Sequence, residues 1–295
     1  MRTKLRAILG TILTTAMMAA ALPAQSAPLE LVEVWTTTGL KTPESVLPDP
    51  TGEFAYVSNV DGGPIDKDTN GFISKVSLAD GKVLDLKWVE GLNGPKGMAL
   101  LGDKLFVADI SQLVEIDTKT AKVVARYDAA GAKFLNDITI DDDGNVYVSD
   151  MVTNKIWRLA GGKFETWLDT PELRSPNGLV IRNGNLIVAA WGVMTDGFNT
   201  KVPGNLLAVS LADKSIKNLG DGTPVGNLDG LVIYGDDYLA TDWMAGGLFL
   251  IDSTGKFEQV IDLNQGSADI AWLPEKRLLL VPMMNDNTLV AYKVK

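Results

Sequence analysis

Three features of the sequence predict an all-β, six-bladed propeller built from four-stranded blades. One pattern, an apolar run, a Gly/Asp/Asn turn and a second apolar run, recurs six times. A third and a fourth short run follow each of the first five copies. The sixth copy lacks its fourth run, and a segment of matching character stands near the N-terminus. A repeat of roughly 40 to 50 residues points to a propeller or a solenoid, and four strands per repeat make a propeller blade. The alternatives are a β-sandwich or a two-domain β protein.

In chain order, residues 1–27 read as a secretory signal peptide. Arg2, Lys4 and Arg6 precede an apolar run too short for a comfortable membrane span, and small residues follow it. Cleavage fits after Ser26 or after Ala27; an uncleaved amphipathic anchor is the alternative. No other stretch approaches the roughly 18 apolar residues of a spanning helix. The expectation is therefore a periplasmic or secreted propeller over residues 28–295, with no membrane span after cleavage.

The next segment, LELVEVWTT from Leu29, resembles the fourth strands and is expected to complete the last blade, closing the ring and removing its open edges. The six hairpins start at Pro43, Pro95, Leu135, Pro176, Leu228 and, in a worn copy, Ser267. Their outer strands are KVLDLKWV, KVVARYDA, KFETWLDT, SIKNLGDG and KFEQVIDL, and the chain ends after TLVAYKV, a third strand.

Composition narrows the chemistry. The 27 Lys and Arg stand against 37 Asp and Glu, and loss of the three basic leader residues takes the difference to −13, which argues against nucleic acid as a partner. There is no Cys, so stability rests on a core rather than disulfides. There is no His, which excludes Ser-His-Asp, Cys-His and His-ligated metal mechanisms.

Superposing the repeats brings one residue per blade to the mouth of the central channel: Glu44, Lys96, Asn136, Asn177, Asp229 and Ala268. Two carboxylates and two amides converging on an axis are hard oxygen ligands. The expected cofactor is one divalent cation, Ca²⁺ first, with Mg²⁺, Mn²⁺ or Zn²⁺ as alternatives. Turn chemistry alone also favours Asn and Asp at such positions, but Glu44 is no turn former.

The motifs PESV, LNDI, PNGL and LDGL, which contain Glu44, Asn136, Asn177 and Asp229, resemble those of the senescence-marker-protein, gluconolactonase and regucalcin-like family of six-bladed propellers. The resemblance covers essentially all of residues 28–295. It implies that Glu44, Asn177 and Asp229 hold the metal directly, with Asn136 on the metal or the substrate. It also implies hydrolysis of a sugar lactone or related ester, the metal polarising the carbonyl and Asp229 acting as base toward water. The chain departs from the family at Phe134, where an Arg often grips the substrate. Lys96 is the second departure: it either replaces that Arg as a partner for the substrate or pairs with Glu44 and opposes metal binding.

Ring positions are separated by 52, 40, 41, 52 and 39 residues. The long first and fourth steps come from VDGGPIDKDTNGF and WGVMTDGFNTKVPG, each between the second and third strands. Blades one and four face each other, so these loops are expected to flank the mouth, with Trp191, Met194, Phe198 and Trp243 as its aromatic and apolar wall. Together with Lys96 and Phe134, Trp191 and Trp243 are the candidate substrate-binding residues. In the first loop, Asp66, Asp68 and Asn70 alternate before Gly71 as in an EF-hand calcium loop, although Ser77 stands where a bidentate Glu belongs. A second calcium site and a solvated acidic turn are both consistent with that pattern.

Two functions remain open at this level: a metal-dependent lactonase acting on a small-molecule substrate, or a non-catalytic exported propeller that binds a ligand or protein.

Overall fold

The computed structural model describes residues 29–295, so the leader expected over residues 1–27 lies outside the described residues. Six four-stranded antiparallel sheets form the blades of a propeller. The first comprises Pro43–Pro48, Phe54–Asn59, Gly71–Ser77 and Val83–Leu92, ordered from the channel outward. The third, with Leu135–Ile140, Val146–Asp150, Lys155–Ala160 and Lys163–Asp169, repeats that order. In the last blade, Ala271–Leu273, Leu278–Met283 and Thr288–Val294 are joined by Leu31–Thr37. That N-terminal strand pairs antiparallel with Thr288–Val294, from Leu31 opposite Val294 to Thr37 opposite Leu289.

Both faces of each blade are apolar because each packs on a neighbour. The second strand VYVSD shows how alternation achieves this. Val146 and Val148 join a cluster with Phe106 and Ala108 of the preceding blade, whereas Tyr147 joins Leu186 and Val188 of the following one. Six such clusters fill the six spaces between blades, including Val57 against Leu280 where the last blade meets the first. Successive side chains point to opposite faces of a strand, so an uninterrupted apolar run is what a strand buried on both sides requires.

The turn between the first and second strands needs a positive φ, supplied in the third blade by Gly144 at φ 80°. In the sixth blade a short 3-10 turn, Pro274–Lys276, ends on Arg277 at φ 46° in the left-handed region. The absence of glycine at that turn is why the sixth copy looks worn in sequence. Among the described residues, no helix is long and apolar enough to cross a membrane.

Candidate functional site

In each of the first five blades the channel strand breaks register just after it begins. Leu135 faces Asp150 and Ile138 faces Val148, so three steps on one strand match two on the other. Equivalent shifts follow Pro43, Pro95, Pro176 and Leu228. Such a bulge releases an extra residue from the ladder and re-aims side chains, commonly beside active sites. It is fixed by hydroxyls from the second strand: Ser58, Ser149 and Thr241 accept from the backbone N–H of Ser45, Asp137 and Gly230. Acidic residues ending that strand hold the preceding loop, Asp109 accepting from the N–H groups of Asn93 and Gly94, and Asp150 from those of Lys133 and Phe134. In the fourth blade Gly178 occupies the second bulge position, where a Cβ would lie 2.3 Å from the Asp229 carbonyl oxygen, so only glycine lets the adjacent channel strands approach this closely.

Glu44, Lys96, Asn136, Asn177 and Asp229 come together at a cavity of about 330 Å³, which Phe134, Trp191 and Trp243 also line. All five polar side chains are buried, Asp229 the least at 5 % exposure. The Asn136 amide donates to Asn177 Oδ1 at 2.5 Å. Glu44 Oε2, Asn177 Nδ2 and Asp229 Oδ1 are buried without a hydrogen-bond partner. Ala268 is buried and adds no polar group.

Two carboxyls of this channel were not anticipated from the sequence. Asp137 and Asp269 each follow a ring position; Asp137 is buried and Asp269 half-buried, and both belong to the charge cluster. Asp137 accepts from the N–H groups of Ile138 at 2.7 Å and Leu179 at 2.6 Å. Asp269 accepts from the Ser45 hydroxyl at 2.5 Å, and its own N–H donates to the Glu44 carbonyl at 3.0 Å. The signal was available in the column after the ring, Ser45, Gly97, Asp137, Gly178, Gly230 and Asp269, where two acids stand among small residues.

Burial, then repulsion from Asp229 and Asp269, raises the Glu44 carboxyl well above its ordinary range. Burial and then Asp269 do the same to Asp229 and to Asp137. Burial pushes Asp269 up to about 7 against the opposing Ser45 hydrogen bond. Lys96 moves the other way, down to about 8, because burial outweighs the attraction of Glu44 and Asp109. Among the described residues one lysine thus faces four carboxyls, and desolvation first, with repulsion second at Glu44, Asp137 and Asp229, favours the protonated form of each carboxyl.

A divalent cation fits this donor set. Glu44 and Asp229 each present a buried oxygen lacking a partner, and the adjacent amides supply neutral oxygens. Among the described residues no three Asp or Glu side chains converge to chelate one ion, so an ion here would rely on two carboxylates with amide help.

Lys96 Nζ donates to the carbonyls of Pro64 at 2.9 Å and Gly94 at 2.8 Å, and lies 4.6 Å from the centre of the Phe134 ring. Glu44 attracts it without being a hydrogen-bond partner. Lys96 therefore braces the first-blade loop over the cavity. The fourth-blade loop, which carries the ribbon Gly192–Met194 and Thr200–Pro203, is fastened by Trp191 Nε1 donating to the Phe198 carbonyl at 2.8 Å. Pro64 and Phe198 both line the cavity, so the two long loops do flank the mouth. Asp66, Asp68 and Asn70 lie on the exposed outer part of the first loop. Asp66 accepts from the Gly63 N–H, and Asp68 takes both the backbone N–H and the side-chain amide of Asn70.

Fold and mouth together define a six-bladed propeller with a buried acid-amide ring under an aromatic wall. Solved structures share the fold. A gluconolactonase from Xanthomonas campestris matches at TM-score 0.64 and 16% identity, over 90% of this chain and 90% of that one. A streptogramin B lyase matches at TM-score 0.64 and 11% identity, over 91% and 98%. A catalytically inactive histidine-to-alanine variant of virginiamycin B lyase from Staphylococcus aureus, solved with quinupristin, matches at 0.61 and 14%, over 90% and 100%. These likenesses are of fold, and the presence of a gluconolactonase among them is consistent with the family resemblance of the motifs. No protein-family model matches the chain. No curated protein matches it either.

Proposed function

We propose that the protein is a metal-dependent hydrolase of the lactonase class, exported to the periplasm or beyond, acting on a small cyclic ester at the channel mouth. The observation that carries this reading is the pair of buried, unpartnered carboxylate oxygens of Glu44 and Asp229 beside two amides at the floor of a cavity. Glu44 and Asp229 would hold the cation, with Asn177 and Asn136 completing the set. When bound there, a divalent cation supplies a Lewis acid for the carbonyl oxygen.

Asp229 is the base in this scheme. Beside a cation its carboxyl ionises despite burial, and it takes a proton from the attacking water. The water oxygen bonds to the acyl carbon and the ring acyl–oxygen bond breaks. The proton held by Asp229 passes to the departing alkoxide, and the new carboxylic acid releases the other. Trp191 and Trp243 exclude bulk water from this exchange. A gluconolactonase among the structures sharing the fold supports the hydrolytic reading. The lyase structures carry it less well, since one lyase is inactivated by loss of a histidine and this chain has none.

Turnover of a panel of lactones with Ca²⁺, Mg²⁺ or Mn²⁺, abolished by chelator, tests the proposal. Asp229→Asn keeps an oxygen and removes the base, so it is expected to retain cation binding and lose roughly 10²-fold or more in kcat. Wild-type rates in that variant, or no metal-dependent turnover by the wild type on any lactone, refute it.

A further inference from the structure

We infer that the substrate carries an apolar body beside its reacting carbonyl: an alkyl- or aryl-substituted lactone rather than a polyhydroxylated sugar lactone. This rests on the hydrolase reading for the chemistry, but the inference itself comes from the cavity wall. Above the ring the wall is Phe134, Met151, Trp191, Phe198, Trp243 and Met284. A tryptophan can serve a sugar hydroxyl through its indole N–H, yet both are engaged elsewhere. Trp191 Nε1 donates to the Phe198 carbonyl at 2.8 Å, and Trp243 Nε1 points to Met284 Sδ at 3.1 Å. Lys96, the one cation lining the cavity among the described residues, already donates to two carbonyls and rests against the Phe134 ring.

Beyond the ring, the polar side chains lining the cavity among the described residues are Thr42 and Asn285, and the Asn285 amide donates to the Gln265 carbonyl at 3.0 Å. A sugar lactone has hydroxyls around its ring, and each one buried here without a partner lowers affinity by roughly tenfold or more. An alkyl chain gains instead, about fourfold for each methylene buried. The rings also offer edge and face contacts, with Phe134 and Phe198 at 5.5 Å and Trp191 and Trp243 at 6.2 Å between centroids. An aryl lactone would extend this array.

Hydrolysis-resistant lactams separate the substrate class from the chemistry. With Ca²⁺ present, calorimetry on the wild type is expected to show 6-pentyl-2-piperidone binding at least tenfold more tightly than glucono-δ-lactam. Phe198→Ser, on the fourth-blade loop, should weaken the pentyl lactam at least threefold and leave the sugar lactam unchanged. Phe134→Tyr, which keeps the ring and adds a hydroxyl to the wall, should shift the ratio toward the sugar lactam. Equal or tighter binding of the sugar lactam overturns the inference, as does failure of both lactams to bind. The corresponding lactones are then compared: δ-decalactone should exceed glucono-δ-lactone at least tenfold in kcat/KM, and the reverse order also overturns it. Tight pentyl-lactam binding without turnover of either lactone would sink the hydrolase reading and support the apolar ligand class.

Discussion

Replacing Asp269 by Asn should relieve the metal-free protein of a penalty that grows with pH. The residue is half-buried, and desolvation of its carboxyl holds the proton up to about 7 against an ordinary value of 3.8. A folded-state pKa raised in this way means that the native protein binds the proton more tightly than the unfolded chain. Stability is therefore unaffected below about pH 4, falls as pH rises through the window, and carries the full cost above about pH 7. Three pKa units correspond to at most about 4 kcal/mol. The 267 described residues imply an unfolding entropy near 0.56 kcal/mol per degree at about 2.1 cal/mol/K each, so the ceiling is about 7 °C. The assay is calorimetric melting of wild type and Asp269→Asn in chelator at pH 4.5 and 8. The variant can still accept from the Ser45 hydroxyl, and any fixed cost of the substitution cancels between the two pH values. The variant's Tm should gain on the wild type by several degrees at pH 8 relative to pH 4.5. A Tm difference that does not change with pH refutes the picture of a crowded cluster whose carboxyls are held above their ordinary range.

Saturating Ca²⁺ should raise the melting temperature of the wild type. At a hundredfold excess over Kd the linkage gain is about 2.7 kcal/mol, or about 5 °C on the same entropy, and Glu44→Gln should lose it; no shift with Ca²⁺, Mg²⁺ or Mn²⁺ removes the cation site. Lys96→Met should free the Pro64 loop, seen as faster proteolysis between residues 60 and 71, with KM affected more than kcat; unchanged cleavage shows that the two carbonyl contacts do not hold the loop. The outer part of that loop, where Asp68 is satisfied by Asn70, is expected to be cleaved equally in Ca²⁺ and in chelator at Asp66→Asn/Asp68→Asn and in the wild type. Calcium-dependent protection that these substitutions abolish would instead establish a second cation site there.

The blades were legible because each repeat carries its own local instructions: a turn that tolerates positive φ, and runs apolar on both faces. The sixth blade was obscured where Arg277 adopts the left-handed conformation in place of glycine. At the site, Glu44, Lys96, Asn136, Asn177 and Asp229 were reached by superposing the repeats, and all five line one cavity. Lys96 was harder to assign, because its partner Pro64 lies 32 residues away on a loop whose path no local pattern encodes.

Asp137 and Asp269 were passed over for a different reason. Strand alternation places successive side chains on opposite faces, which makes the residue after a ring position a core residue by default. The bulge suspends that rule in the third blade, so Asn136 and Asp137 both enter the channel environment. In the sixth blade the ring position holds Ala268, and the acid appears one residue later as Asp269, hydrogen-bonded to Ser45 beside Glu44. Its charge reaches Glu44, Asp137 and Asp229 alike, opposing the ionisation of each. Asp269 therefore bears on the ring electrostatically from the position after it. Were a cation held by Glu44 and Asp229 as proposed, it would offset the repulsion of Asp269 as well as theirs, so an acid outside the ring column would contribute to its binding.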